Sequence, residues 1–289
     1  MVQGLPQQQI TFVGAGSMAE AIIRGLIDQG GVPGENLFVV NRSNAERLAE
    51  LHTRYGIRYA MDQLAKDEAI RSADIVVLAF KPKDAVDGIL ALKPQLRPGQ
   101  LIVSVIAGLS VATMHGLLGS DSYAIVRTMP NTSSTIGLGA TGIAFSESVT
   151  EKQQELAYEM FASTGIVTVV DESQIDAITG VSGSGPAYVY YMMEAMMEGG
   201  TRAGLSREES RRLTIQTFLG AAGMVEATGE EPADLRRKVT SPNGTTQAAI
   251  EVMDRAGFQD ALIAGILRSK ERAGEMGEAI SQSVSTPSK

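Results

Sequence analysis

Ile10-Thr11-Phe12-Val13-Gly14-Ala15-Gly16-Ser17-Met18-Ala19 is a short apolar run that breaks at two glycines, and the chain then continues at helical spacing through Ala21, Ile22, Leu26 and Ile27. The break spells G-x-G-x-x-A between a strand and a helix, the opening of a βαβ unit. Gly14 permits the tight turn, Gly16 lets backbone approach a pyrophosphate, and the small Ala19 lets helix and strand pack closely. The N–H groups at Ser17 and Met18 would then face the phosphates, because the first turn of a helix leaves its donors free.

Three small residues in six also make an ordinary loop, so the neighbouring strand has to supply context. Leu37-Phe38-Val39-Val40 ends in Asn41-Arg42-Ser43, about 25 residues past the glycines, where a nicotinamide-binding unit carries its ribose-recognition residue. An acid there would bond a ribose 2′-OH, whereas Arg42 flanked by Asn41 and Ser43 offers donors to a 2′-phosphate. NADP(H) is therefore expected to be preferred, with NAD(H) also accepted. A charge-assisted contact of about 1.5–3 kcal/mol makes that preference roughly ten- to a hundredfold. The plainer alternative for Arg42 is a solvated charge at a strand end.

Outward from this unit, strands and helices alternate as in a doubly wound sheet. A helix is expected over Ala45–Tyr55, a short strand near Ile57–Ala60, and a stronger strand over Asp74–Phe80 that runs into Lys81-Pro82. A helix Lys83–Leu92 leads to the strand Leu101–Ile106, which ends at Ala107-Gly108, and a further strand Tyr123–Val126 leads to Arg127–Asn131. Continuous apolar runs suit parallel strands covered on both faces. Ligands of such sheets lie beyond the carboxyl ends of the strands, which makes Ala79, Phe80, Lys81, Pro82, Ala107, Gly108, Pro130 and Asn131 cofactor-side candidates. Lys81 is read as a contact, since a lysine after a strand is commonly just a soluble turn. After the Gly/Thr-rich segment Ser133–Phe145 come a helix Thr150–Phe161 and a strand Val167–Val170, and beyond Asp171 the pattern turns helical almost throughout.

The fold class is thus α/β: a Rossmann-type sheet domain over residues 1–172, then an all-helical domain over 173–289 for dimerisation and substrate binding. In the second half the chain breaks at Ser182-Gly183-Ser184-Gly185 and restarts at Pro186, and the run Ala187–Met197 is apolar on nearly every face. Such a helix needs burial all round, which a small helical domain cannot supply alone, so a second copy of the chain is expected to cover it. A helix Ser206–Thr228 carries a capping box of Ser206 and Glu209. A last helix is expected from Gln259 to about Met276, and the tail Ser281–Lys289 is expected to be disordered.

The 289 residues are 44% apolar and 20% charged, an ordinary globular balance, with a formal net charge of −8 that argues against a nucleic-acid surface. There is no cysteine, which excludes disulfides and thiolate chemistry and fits a reducing cytoplasm. No signal peptide or membrane span is legible. The two histidines, His52 and His115, have no paired-ligand spacing, and neither has a G-x-S-x-G partner, so no metal and no serine triad is expected.

A second site is offered by Thr240-Ser241-Pro242-Asn243-Gly244-Thr245-Thr246, which precedes the amphipathic run Ala248, Ala249, Ile250, Val252, Met253. Free helix-start N–H groups beside the hydroxyls of Ser241, Thr245 and Thr246 make an anion pocket suited to a carboxylate; an ordinary N-cap is an equal alternative. A β-hydroxyacid dehydrogenase of similar layout carries a catalytic lysine after a G-x-x-G-x-G segment. This chain has that segment at Gly180–Gly185, but Val189 stands where the lysine would be. Reducing C=O calls for a proton donor to the alkoxide, whereas a protonated C=N does not, so a pocket of hydroxyls and N–H groups fits imine reduction better.

The stretch Leu235–Asp254 resembles the signature of pyrroline-5-carboxylate reductases, and Phe12–Ala19, Ala79–Pro82, Met129–Thr132 and Ser182–Tyr188 match that family as well. The resemblance implies NAD(P)H-dependent reduction of 1-pyrroline-5-carboxylate to L-proline, and a helical domain that interlocks two subunits, often assembled further into a ring of dimers. It implies that Ser241, Asn243, Gly244, Thr245 and Thr246 hold the substrate carboxylate, with Thr246 also near the ring nitrogen. Asn243 replaces the glycine common there, and Asn is the next most tolerant residue of positive φ. The rival readings are a reductase of another small imino or keto acid and a catalytically silent dinucleotide sensor.

Overall fold

Residues 4–285 are described by a computed structural model, and they form two compact units: the sheet unit, through Ser184 and again from Arg268, and a helical unit, Gly185–Leu267. The sheet unit opens with β1 (Ile10–Val13), α1 (Ser17–Asp28), β2 (Leu37–Val40), α2 (Ala45–Tyr55), β3 (Arg58–Tyr59), α3 (Gln63–Ser72) and β4 (Ile75–Leu78). It continues through α4 (Ala85–Leu92), β5 (Leu101–Ser104), α5 (Val111–Leu118), β6 (Ala124–Met129), β7 (Gly139–Phe145), α6 (Glu151–Ala162), β8 (Gly165–Val169) and α7 (Ile175–Ile178). The strand order is β3-β2-β1-β4-β5-β6-β7-β8, parallel throughout except between β6 and β7.

Every residue of β4 and β5 is buried, because helices cover both faces and alternate side chains feed opposite sides. Phe12, Val39, Val77 and Val103 join Ile22, Leu26, Met160 and Phe161 on one face, while Val40, Val76, Leu78 and Ile102 join Ile89 and Met114 on the other. Each such side chain contributes about 1.5–3 kcal/mol on burial. The direction of winding reverses between β1 and β4, and in register Val13 pairs with both Val40 and Leu78. The ends of β1, β2 and β4 are therefore level, and the crevice beyond them lies at the switch point where such sheets take ligands.

Strand β7 falls within the Gly/Thr-rich segment that carried no expected element. Its glycines are there for space: a Cβ on Gly142 would stand 2.8 Å from Ile178 and one on Gly139 would stand 2.3 Å from Ser134 Oγ. A five-residue π turn, Thr179–Gly183, joins α7 to α8.

The helical unit comprises α8 (Gly185–Arg202), α9 (Arg207–Thr228), α10 (Pro232–Lys238), α11 (Thr245–Arg255) and the first part of α12 (Phe258–Ser285). Ser206 caps α9 in a reciprocal box with Glu209, as its spacing predicts. The expected disorder from Ser281 is corrected: α12 runs to Ser285, and residues 286–289 lie outside those described. The later part of α12 groups with the sheet unit, where Ala273 is buried and a Cβ on Gly277 would stand 2.6 Å from the Gly108 carbonyl oxygen. Neither apolar cluster contains a residue of Gly185–Leu267; Tyr191, Leu213, Leu219 and Met224 there are exposed. Among the described residues no helix is long and apolar enough to cross a membrane.

Candidate functional site

The glycine turn is fixed by two different demands. Gly14 has φ 119°, and a Cβ there would lie 2.2 Å from the Ala79 carbonyl oxygen, so the end of β4 leaves room for hydrogen alone. Gly16 has φ −76° and would meet nothing within 4 Å. Its lack of a side chain leaves space in front of α1, whose first turn receives no side-chain cap. Free donors beside an open approach fit a diphosphate.

A polar network that sequence reasoning missed holds this turn. Arg47 Nε donates to the Ala15 carbonyl at 3.1 Å, and its guanidinium also pairs with Glu20 and with Glu50. Glu20 accepts from Arg54 at 2.7 Å and from the Tyr55 hydroxyl at 2.9 Å. Partial burial pushes the Glu20 carboxyl up, but hydrogen bonds from Arg47 and Tyr55 and the charges of Arg47 and Arg54 outweigh it and hold the pKa below its ordinary value.

Beyond β2, Asn41 donates through Nδ2 to the Asn44 carbonyl at 2.8 Å, while its Oδ1 is buried without a partner. Asn44 caps α2, accepting from the Arg47 N–H, and Ser43 is exposed beside it. Arg42 is exposed and bonds Asp84, a carboxylate that reaches it from the short helical turn Pro82–Asp84, at 3.2 Å. Asn41, Arg42 and Asp84 line a cavity of about 280 Å³ with Gly14, Phe80 and Lys66. Lys66 was also missed; its only signal is a lysine in the stripe Lys66, Ala69, Ile70 that α3 buries. A buried acceptor seeking a donor and cations nearby fit an adenosine ribose with its phosphate.

The other strand-end candidates divide. Phe80 packs its ring against Gly88, where a Cβ would stand 2.9 Å away. Lys81 is exposed before Pro82, which starts a short helical turn. Ala107 is half-buried, and Gly108, at φ 77°, is packed against α12. Pro130 is buried, and both ends of the Asn131 amide are engaged, Nδ2 with the Ser182 carbonyl at 3.0 Å and Oδ1 with the Ala140 N–H at 3.3 Å. Arg127, buried, pairs with Asp176 at 2.6 Å and Glu172 at 3.3 Å.

In the helical unit, α11 begins at Thr245 with Gly244 as N-cap and no side-chain cap, so the ordinary serine or threonine cap is not what these hydroxyls form. Asn243 has φ 58°, the one non-glycine residue of positive φ among those described, and its N–H donates to Gln247 Oε1 at 2.8 Å. A Cβ on Gly244 would lie 2.5 Å from Ser241 Oγ. Ser241, Asn243, Gly244, Thr245 and Thr246 thus form one turn at an uncapped helix start, with Ser241 and Thr245 exposed within the single chain.

The description "Pyrroline-5-carboxylate reductase dimerisation" matches residues 172–276, and "NADP oxidoreductase coenzyme F420-dependent" matches residues 9–108. The chain is 43% identical over 274 residues to pyrroline-5-carboxylate reductase 1 of Bacillus subtilis (strain 168), covering 95% of this chain and 91% of that one. It is 41% identical to pyrroline-5-carboxylate reductase of Pseudomonas aeruginosa, covering 95% and 98%. Among solved structures, a pyrroline-5-carboxylate reductase from Coxiella burnetii superposes with a TM-score of 0.84 at 36% identity over 93% of this chain and 98% of that one. The pyrroline carboxylate reductase of Plasmodium falciparum with NADP bound superposes with a TM-score of 0.84 at 28% identity over 95% and 100%.

Proposed function

The chain belongs to the pyrroline-5-carboxylate reductase family, and from that premise we propose how its own residues carry out the family's reaction. It is an oxidoreductase that reduces 1-pyrroline-5-carboxylate to L-proline with NAD(P)H, the last step of proline biosynthesis. Bound NAD(P)H supplies the hydride that the C=N carbon accepts.

The protein's part is to bind and to position. Gly14, Gly16, Ser17 and Met18 hold the diphosphate, and Asn41, Arg42 and Ser43 receive the adenosine ribose. Ala79, Phe80, Lys81, Pro82, Ala107, Gly108, Pro130 and Asn131 form the strand-end wall on the cofactor side. Ser241, Asn243, Gly244, Thr245 and Thr246 hold the substrate carboxylate by N–H and hydroxyl donors, and the Thr246 hydroxyl orients the ring nitrogen. Because the iminium arrives protonated and leaves as an amine, no acid–base residue is required, and holding two reactants in register accounts for much of the acceleration. The observation that carries this reading is the uncapped start of α11, with Asn243 at φ 58°.

The helical unit serves dimerisation, and the protein works as a homo-oligomer. We extend this to an interlocked homodimer in which α11 of one subunit completes the nucleotide crevice of the other, the ring of dimers being its higher form. The exposed apolar side chains of Gly185–Leu267, with no apolar cluster of their own, support this.

The test is NADPH oxidation by the purified protein with pyrroline-5-carboxylate. In Thr246→Ala, kcat/KM falls about tenfold, the upper range for one lost hydrogen bond, while NADP⁺ affinity is unchanged. Absence of turnover by the unaltered protein at any pH from about 6 to about 9 would refute the reading.

A further inference from the structure

The wall of the ribose cavity contains a lysine whose charge is not paired. Asp62 caps α3 by accepting from the Ala65 N–H, and the stripe Lys66, Ala69, Ile70 turns inward. Lys66 is only 8% exposed, and its Nζ donates to the Asn41 carbonyl at 3.1 Å. Among the described residues it has no ion-pair partner. An ammonium carries three donors, and one carbonyl satisfies one of them. A buried cation without an anion is costly, so the fold is tolerating it for something that arrives.

Of the other charges that line the cavity, Arg42 and Asp84 are committed to each other. Arg42 has a side chain 78% exposed and is paired with Asp84, so solvent and a carboxylate both weaken its pull on a phosphate. Asp67, which also lines the cavity, accepts from the neutral Gln63 amide at 2.6 Å and keeps its charge, but among the described residues it forms no ion pair with Lys66. Asn41 meets Lys66 directly: its backbone carbonyl accepts a hydrogen bond from Lys66 Nζ, and its buried Oδ1 has no donor. The wall therefore holds a cation without an ion-pair partner beside an acceptor without a donor. A ribose bearing a 2′-phosphate and a neighbouring hydroxyl supplies both, and a ribose with two hydroxyls supplies only the donor.

Resting on the dinucleotide site proposed above, we infer that Lys66 is the counter-charge to the 2′-phosphate and the main determinant of NADP(H) over NAD(H), ahead of Arg42. The competing account is that Lys66 merely clasps α3 to the end of β2 through the Asn41 carbonyl. That account predicts equal weakening of both cofactors when the ammonium is removed.

The experiment is calorimetric titration of the intact assembled protein with NADP⁺, NAD⁺, adenosine 2′,5′-bisphosphate and 5′-AMP, for the unaltered chain, Lys66→Met and Arg42→Ala. Lys66→Met keeps the length of the side chain and removes its charge; Lys66→Gln replaces it if the methionine variant does not fold. The expected result is a Kd raised about ten- to a hundredfold for NADP⁺ and the bisphosphate in Lys66→Met, with NAD⁺ and 5′-AMP changed by less than about twofold, and a smaller loss in Arg42→Ala. Equal weakening of NADP⁺ and NAD⁺, or unchanged NADP⁺ affinity, overturns the assignment of Lys66. If the unaltered protein binds NADP⁺ no better than NAD⁺, the 2′-phosphate reading itself falls, whatever the variants do.

Discussion

The two glycines of the turn look alike in sequence and should fail differently when each is replaced by alanine. A methyl on Gly14 would need φ 119°, and it would stand 2.2 Å from the carbonyl oxygen and 2.6 Å from the carbonyl carbon of Ala79. Both obstacles are backbone at the end of β4, beside β1 in the sheet, so neither can swing aside. Backbone strain of about 1–2 kcal/mol and overpacking of about 1–3 kcal/mol give a loss of roughly 2–5 kcal/mol in Gly14→Ala, a large share of an ordinary stability of about 5–15 kcal/mol. Gly16, at φ −76° with open space around it, accepts alanine with no folding penalty and with a gain of about 0.4–1 kcal/mol from a stiffer unfolded chain. What Gly16→Ala loses is the approach of a phosphate. If affinity falls tenfold, stabilisation by NADP⁺ at a hundred times the original Kd drops from about 2.7 to about 1.4 kcal/mol. The assay is thermal unfolding of each variant at fixed protein concentration, with and without NADP⁺. Gly14→Ala should unfold early in both conditions; Gly16→Ala should be at least as stable as the unaltered protein without ligand and show a diminished shift with it. A Gly16→Ala protein as fragile as Gly14→Ala, or one with an undiminished shift, would refute the reasoning.

Asn243→Ala should destabilise the turn before α11 by about 1–2 kcal/mol, because alanine tolerates φ 58° poorly, and Asn243→Gly should not. Measured KM for pyrroline-5-carboxylate should therefore rise in the alanine variant and stay near its original value in the glycine variant. Glu20, held below the ordinary carboxylate pKa of 4.5 by Arg47, Tyr55 and Arg54 against the opposing effect of burial, contributes stability that is complete above that ordinary value and is lost as pH falls through the depressed one. The difference in urea stability between the unaltered protein and Glu20→Gln should accordingly shrink on going from about pH 6 to about pH 3, and a constant difference would count against the network.

The sheet was legible because its strands are apolar without interruption and its turn carries a mechanism at each glycine. Strand β7 was not, since Gly139 and Gly142 sit where neighbours leave no room for a side chain, and a strand shaped by such constraints has no alternation to read. The end of α12 was missed for a related reason. Its later part lies against Gly108, far away in sequence, so the tertiary contact that accompanies the helix is invisible in Ser281–Lys289. Asn41 and Arg42 could be placed at the crevice from their position after β2, whereas the turn around Asn243 took its proposed role from the family resemblance. Asp84, Lys66 and Arg47 could not be placed, because they reach Arg42, Asn41 and Ala15 from other elements, and no spacing rule connects them.

The segment Gly185–Leu267 has almost nothing greasy tucked away inside a single chain. For this part of the molecule, acquiring a core and meeting a mate are one event, so renaturation should carry a bimolecular step and the yield of working catalyst should climb faster than the concentration of polypeptide.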